Sequence, residues 1–123
     1  MSANNREAGS LWDMANAIRR IQEFTADLAY DTYLDSSLVQ SAVERQLEIL
    51  GEAARRLSDE FRQTHSEIDW RRIIGLRNIL IHRYDEIRQQ TIWETVSSEL
   101  EPLLTQLESL LSSLPDKSNG FTE

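Results

Sequence analysis

Apolar positions recur every three or four residues along nearly the whole chain, which is the period of an amphipathic helix and not the alternation of a half-buried strand. Leu11, Met14, Ile18, Ile21, Thr25 and Leu28 make a first stripe, predicting a helix from Ser10, read as its N-cap, to about Tyr30. The stretch "YDTYLDSS" reads as a connector in which Asp35 or Ser36 caps the next element. A second, longer helix follows from Val39, Val43, Leu47, Leu50, Ala54, Leu57 and Phe61. Arg45, Glu48, Glu52 and Arg55 lie opposite that stripe, as expected of a wetted face with ion pairs three or four residues apart. A third helix is predicted from Trp70, with Asp69 as its cap. The fourth runs from about Thr91 to Leu114 on Trp93, Val96, Leu100, Leu103, Leu107, Leu110 and Leu114. Pro102 interrupts it and predicts a kink or restart, because proline lacks a backbone donor. The expected fold is all-α, an up-and-down bundle of four main helices over residues 10–114, with a loose segment 1–9 and a tail 115–123. The leucine-rich fourth helix and the apolar third present more surface than one chain covers, which predicts a homodimer. Trp12, Trp70 and Trp93 are expected to pack, and His65, between helices, to be exposed.

The length of 123 residues suits one domain with one core. Cysteine is absent, which removes disulfides and thiolate chemistry and makes a reducing cytoplasm the expected compartment. No apolar run reaches the ~18 residues of a membrane span. The formal charge of −8 argues against general coating of nucleic acid, since phosphate affinity comes from Lys and Arg. That charge is uneven, however. Between Trp70 and Arg88 five arginines (71, 72, 77, 83 and 88) face only Asp85 and Glu86, a local +3 that leaves −11 elsewhere. One basic segment on an acidic body suits a small anionic site better than a long tract.

That segment contains "GLRNILIHRYDEI", Gly75 to Ile87. On a helical wheel of about 100° per residue, with Ile73 at zero, Leu80 and Tyr84 fall within roughly 20°, Arg77 at about 40° and His82 near 180°. Arg77 therefore sits inside the apolar stripe, where a permanent charge requires a carboxylate partner such as a glutamate of the second helix, a wet crevice, or an anionic ligand. Gly75, costly in a helix interior, suggests close approach by a backbone, a ligand or a second chain. Arg77 and His82 point about 140° apart, so one straight helix does not aim both at one atom, whereas two copies across a dimer axis do. Metal-free RNA cleavage needs a base for the 2′-OH proton, an acid for the leaving 5′ oxygen, and a cation for the charge growing on phosphate. Histidine suits the first two tasks and arginine the third, while tyrosine can orient phosphate or stack on a base. A di-iron bundle lacks its Glu-x-x-His pairs. A helix-turn-helix DNA reader would present its basic helix outward instead of embedding it in an apolar stripe.

"RNILIHRY" fits the R-x4-6-H-x-Y signature of the HEPN superfamily. Together with "LEILGEAARRL", "IDWRRIIG" and "TIWETV", it resembles the HepT-like toxin ribonucleases over roughly Leu11 to Leu111. The resemblance implies an all-α HEPN-like homodimer with a composite site in the dimer cleft, acting as a metal-independent endoribonuclease without a cofactor. By position it implies that Arg77 and His82 are catalytic and that Asn78 and Tyr84 position substrate. It further implies a type VII toxin-antitoxin system, with RNA as substrate and neither DNA nor membrane as partner. The antitoxin would be an MntA-like minimal nucleotidyltransferase that transfers AMP to Tyr84. The competing reading is a non-catalytic helical partner of a nucleotidyltransferase, in which Arg77 only holds a nucleotide phosphate.

Overall fold

The computed structural model describes residues 3–114, and the expected tail 115–123 lies outside them. Among the described residues there are seven α-helices, one 3-10 turn and no strand: α1 Ala3–Thr25, α2 Tyr30–Leu34, α3 Ser37–Arg56, α4 Asp59–Thr64, α5 Trp70–His82, the 3-10 turn Tyr84–Glu86, α6 Gln89–Ser98 and α7 Leu100–Ser113. The four long units expected from periodicity are α1, α3, α5 and the α6–α7 pair.

Cross-links between these units give their directions. Arg56 at the end of α3 donates to Asp13 in the middle of α1 at 2.8 Å, and Ser58 just beyond α3 donates to Glu7 nearer the start of α1 at 2.9 Å, so the two helices run antiparallel. Arg19 and Gln22 on α1 meet Glu108 and Glu101 on α7, again in reverse order. Gln89 at the start of α6 donates to Glu44 near the start of α3, and Arg72 at the start of α5 pairs with Glu99 just beyond α6. The result is an all-α up-and-down bundle. Leu11, Met14, Ile18 and Ile21 of α1, Val43 and Leu47 of α3, and Leu100 and Leu107 of α7 fill its core.

Three boundaries differ from the periodic reading, each for a local reason, and the break expected near Pro102 is present. Helix α1 begins at Ala3, so Ser10 is buried within it and is not its cap. Buried Glu7 is satisfied by the Ser58 hydroxyl at 2.9 Å, which ties the extra turns to the bundle. The connector after α1 turns at Asp27, the one non-glycine described residue with positive φ, and then winds into α2 around fully buried Tyr33. The second helix stops at Arg56 instead of reaching Phe61. Leu57 is extended, and the Ser58 side chain accepts from Phe61 N to start α4, with Asp59 and Glu60 favourably placed in its first turn. The fourth helix breaks at Glu99, one turn before Pro102. Proline cannot donate to the Ser98 carbonyl and its ring crowds it, so α7 restarts with Pro102 in its first turn, where the missing donor costs nothing.

Two packing expectations need correction. Trp70 is buried and Trp93 packs on Tyr33 with centroids 4.9 Å apart, but Trp12 is 54% exposed on the outer side of α1. His65 is half-buried, its ring tilted against Phe61 with centroids 4.4 Å apart, and its carbonyl accepts from the Trp70 indole at 2.9 Å. That bond anchors the start of α5.

Candidate active site

Helix α5 owes its start to Asp69, whose carboxylate accepts from Arg72 N at 3.1 Å, as the sequence predicts. The side chain of Arg72 then makes a two-point pair with Glu99, both contacts 2.6 Å, and this carboxylate raises the guanidinium pKa further above its ordinary value. At its far end α5 stops at His82. Arg83 leaves the helical region, and the chain continues through the 3-10 turn to Gln89. Gln89 also accepts from the Tyr33 hydroxyl. Burial chiefly, and then the charge of Glu44, push the Tyr33 phenol well above its usual pKa, so it remains a neutral donor. The Tyr33–Gln89–Glu44 chain fixes where the segment following the motif re-enters the bundle.

Only Trp70 and Leu80 of α5 are buried. Ile79 and Ile81 are 36% and 41% exposed, an apolar margin that the described residues leave uncovered.

Arg77 lies where the wheel puts it, against α3, with its side chain only 15% exposed. A Cβ added at Gly51 would overlap the Arg77 Cβ and would lie 3.0 Å from its Cγ and 3.1 Å from the Ile73 carbonyl oxygen. The two helices therefore cross at Gly51, and glycine is needed there. By contrast, a Cβ at Gly75 would meet nothing within 4 Å, so no other described element approaches that glycine. Among the described residues the close helix contact falls at Gly51, and the face beside Gly75 is open, as a ligand or second chain there would require.

The guanidinium has two polar contacts. Nη2 lies 3.1 Å from Glu52 Oε1, and Nη1 donates to Asn78 Oδ1 at 2.9 Å; Nε is buried without a partner among the described residues. The carboxylate of the second helix required by the buried charge is thus Glu52, which sequence reasoning had assigned to the solvated face. That face does carry the expected pairs, Arg45–Glu48 and Arg55–Glu52, both at 3.1 Å. Arg77 is not sealed in, however. It lines an open groove of about 340 Å³ shared with Arg45, Glu48, Ile49, Glu52, Arg56 and Ile81, and the Glu52 side chain is 42% exposed.

The other sequence-predicted residues occupy the exposed end of α5. Asn78 and His82 are exposed, and His82 makes no side-chain hydrogen bond or ion pair to another described residue. Tyr84 is 69% exposed, but it sits in the 3-10 turn and not on the stripe with Arg77. The wheel failed for Tyr84 because it extended α5 past its cap at Arg83. One chain thus brings Arg77 together with Asn78. Five residues of helix rise separate Arg77 from His82 along the axis, about 7.5 Å, on diverging faces. Among the described residues no three His, Asp or Glu side chains gather as metal ligands would, and no helix is long and apolar enough to cross a membrane.

A family model described as "Ribonuclease HepT-like" matches residues 14–110, spanning every helix that builds this site. The chain belongs to the HepT-like ribonuclease family. A Thermococcus cleftensis protein named "Probable ribonuclease HepT" is 37% identical over 100 residues, covering 81% of this chain and 91% of the relative. A Methanocaldococcus jannaschii protein named as a "Putative RNase" is 34% identical over 98 residues, covering 80% of this chain and 90% of the relative. Another of that name from Caldanaerobacter subterraneus is 36% identical over 84 residues, covering 68% and 75%. No solved structure matches the chain. Membership of the HepT-like family agrees with the all-α HEPN-like bundle.

Proposed function

We propose that this HepT-like protein is a metal-independent endoribonuclease and the toxin of a type VII toxin-antitoxin pair in the cytoplasm. The observation that carries the reading is Arg77, a permanent cation set into the apolar stripe of α5 yet reaching an open groove, with an exposed histidine at the end of the same helix. In this reading two chains pair along α5, covering Ile79 and Ile81 and bringing two copies of the motif to one cleft. His82 takes the 2′-OH proton, the 2′ oxygen attacks phosphorus, and the 5′ oxygen leaves with a proton supplied by the second imidazole. Arg77 meets the charge on the nonbridging oxygens, while Asn78 and Tyr84 orient the phosphate and base. The products are a 2′,3′-cyclic phosphate and a 5′-hydroxyl. Purified protein incubated in EDTA is expected to cut RNA and to leave DNA of the same sequence whole; intact RNA would refute the reading.

An MntA-like nucleotidyltransferase is the proposed antitoxin, acting by transfer of AMP to Tyr84. The phenol is exposed at the bundle surface, so a second enzyme reaches it without unfolding the chain, and the added phosphodiester and base would obstruct the cleft. Co-expression with such an enzyme is expected to shift the mass of the Tyr84 peptide by one or more AMP groups, and Tyr84→Phe to abolish the shift.

The opening of Arg77 onto the groove also suits a second reading, in which the bundle is a non-catalytic partner of a nucleotidyltransferase and that arginine only holds a nucleotide phosphate. Nucleotide binding with intact RNA would support it.

A further inference from the structure

We infer that Glu52 is a positioning residue that holds Arg77 in a resting place and competes with the RNA phosphate for it. The inference rests on the ribonuclease reading of the groove.

Arg77 is fixed at its root and movable at its tip. Its Cβ and Cγ occupy the space that a side chain at Gly51 would fill, so the root of the side chain is set close against α3. The guanidinium beyond them faces the open groove. There its contact with Glu52 is a poor one for arginine. A carboxylate fully engaged by this side chain takes two donors of the fork, as Glu99 does from Arg72 Nε and Nη2. Glu52 meets only Nη2, and Arg77 Nε is left buried without an acceptor, a state that costs stability and that native proteins rarely keep without a reason.

Glu52 is itself divided. The same Oε1 that faces Arg77 also accepts from Arg55 Nη1 at 3.1 Å, so Glu52 keeps a cationic partner when Arg77 leaves. Exchange of Arg77 from Glu52 to a phosphate then strands no charge in the interior, because Glu52 is 42% exposed and remains paired. The other arginines lining the groove hold carboxylates of their own, Arg45 with Glu48 and Arg56 with Asp13. Arg77 is therefore the groove cation whose incomplete pairing an incoming phosphate can improve. The carboxylate lowers affinity in the resting state, which limits binding to RNA that also engages the rest of the cleft.

The experiment measures KM and kcat for a short RNA with wild type, Glu52→Gln and Glu108→Gln. Glu108 pairs with Arg19 across α1 and α7, away from the groove, and controls for the loss of one negative charge. Glu52→Gln is expected to lower KM about 3- to 5-fold, the scale of a partly exposed ion pair, with kcat within about two-fold of wild type, and Glu108→Gln to leave KM unchanged. An unchanged or raised KM in Glu52→Gln, or an equal fall in Glu108→Gln, overturns the inference. Fluorescence anisotropy with an all-2′-deoxy oligonucleotide separates the two claims, since it needs no cleavage. If wild type cuts no RNA yet Glu52→Gln binds the probe more tightly, the ribonuclease reading fails and the role of Glu52 stands. If wild type cuts RNA and Glu52→Gln matches it in both assays, the role of Glu52 fails alone. Absence of probe binding in both proteins, without cleavage, overturns both. Glu52→Ala serves if the glutamine variant does not fold, and failure of both variants to fold would make Glu52 a structural partner only and overturn the inference.

Discussion

Replacing His82 with alanine is expected to slow RNA cleavage by about 10²- to 10⁴-fold, the usual contribution of a positioned acid or base, while leaving the melting curve unchanged. The second half of that expectation comes from placement. His82 is the last residue of α5, is exposed, and makes no side-chain hydrogen bond or ion pair to another described residue, so truncation opens no cavity and orphans no partner. Single-turnover rates alongside thermal unfolding by circular dichroism check both halves. An active variant would remove His82 from the chemistry, and a large drop in Tm would make it structural.

Gly51→Ala is expected to be the most damaging single methyl in the bundle. Alanine improves helix propensity by up to about 1 kcal/mol, but the new Cβ would overlap Arg77 and crowd the Ile73 carbonyl. The obstruction is the base of a side chain and a backbone oxygen, neither of which moves aside by changing rotamer. Helices α3 and α5 must separate, and overpacking of this kind costs about 1–3 kcal/mol or more. The melting temperature should fall by roughly 5–15 °C, and cleavage should fall further than stability alone explains because Arg77 is displaced. Gly75→Ala is the internal contrast. With nothing within 4 Å, it should leave the single chain as stable as before or slightly more so. A tolerated Gly51→Ala would show that the crossing is looser than described.

These residues also mark what a sequence discloses. Caps are local, a side-chain oxygen bonding a backbone N–H three residues on, so Ser36 and Asp69 were legible. Pro102 announced the break because its effect on the preceding turn is covalent. Ser58, Asp59 and Glu60 carry an equally local signal, but the apolar stripe runs through to Phe61 and hid it. The demand of Arg77 for compensation was also readable, from burial of charge within a stripe. Which glutamate answers it was not, because Glu52 pairs with Arg55 as naturally as any surface residue, and its second partner exists only where α3 crosses α5. Two helical glycines looked alike in sequence, and only the crossing shows that Gly51 is the one at the contact. Tyr84 was misplaced because a wheel has no knowledge of where its helix ends.

Divergence of Arg77 and His82 on a single α5 leads to the most direct measurement of the central claim. Wild type and His82→Ala are unfolded, mixed in equal amounts, refolded together and assayed for RNA cleavage at fixed total protein. By chance a quarter of the dimers then carry two histidines and half carry one, so if both imidazoles of a pair serve one cleft, activity should fall to about a quarter of wild type. Activity near half of wild type, which chains acting independently would give, would contradict a site shared between chains.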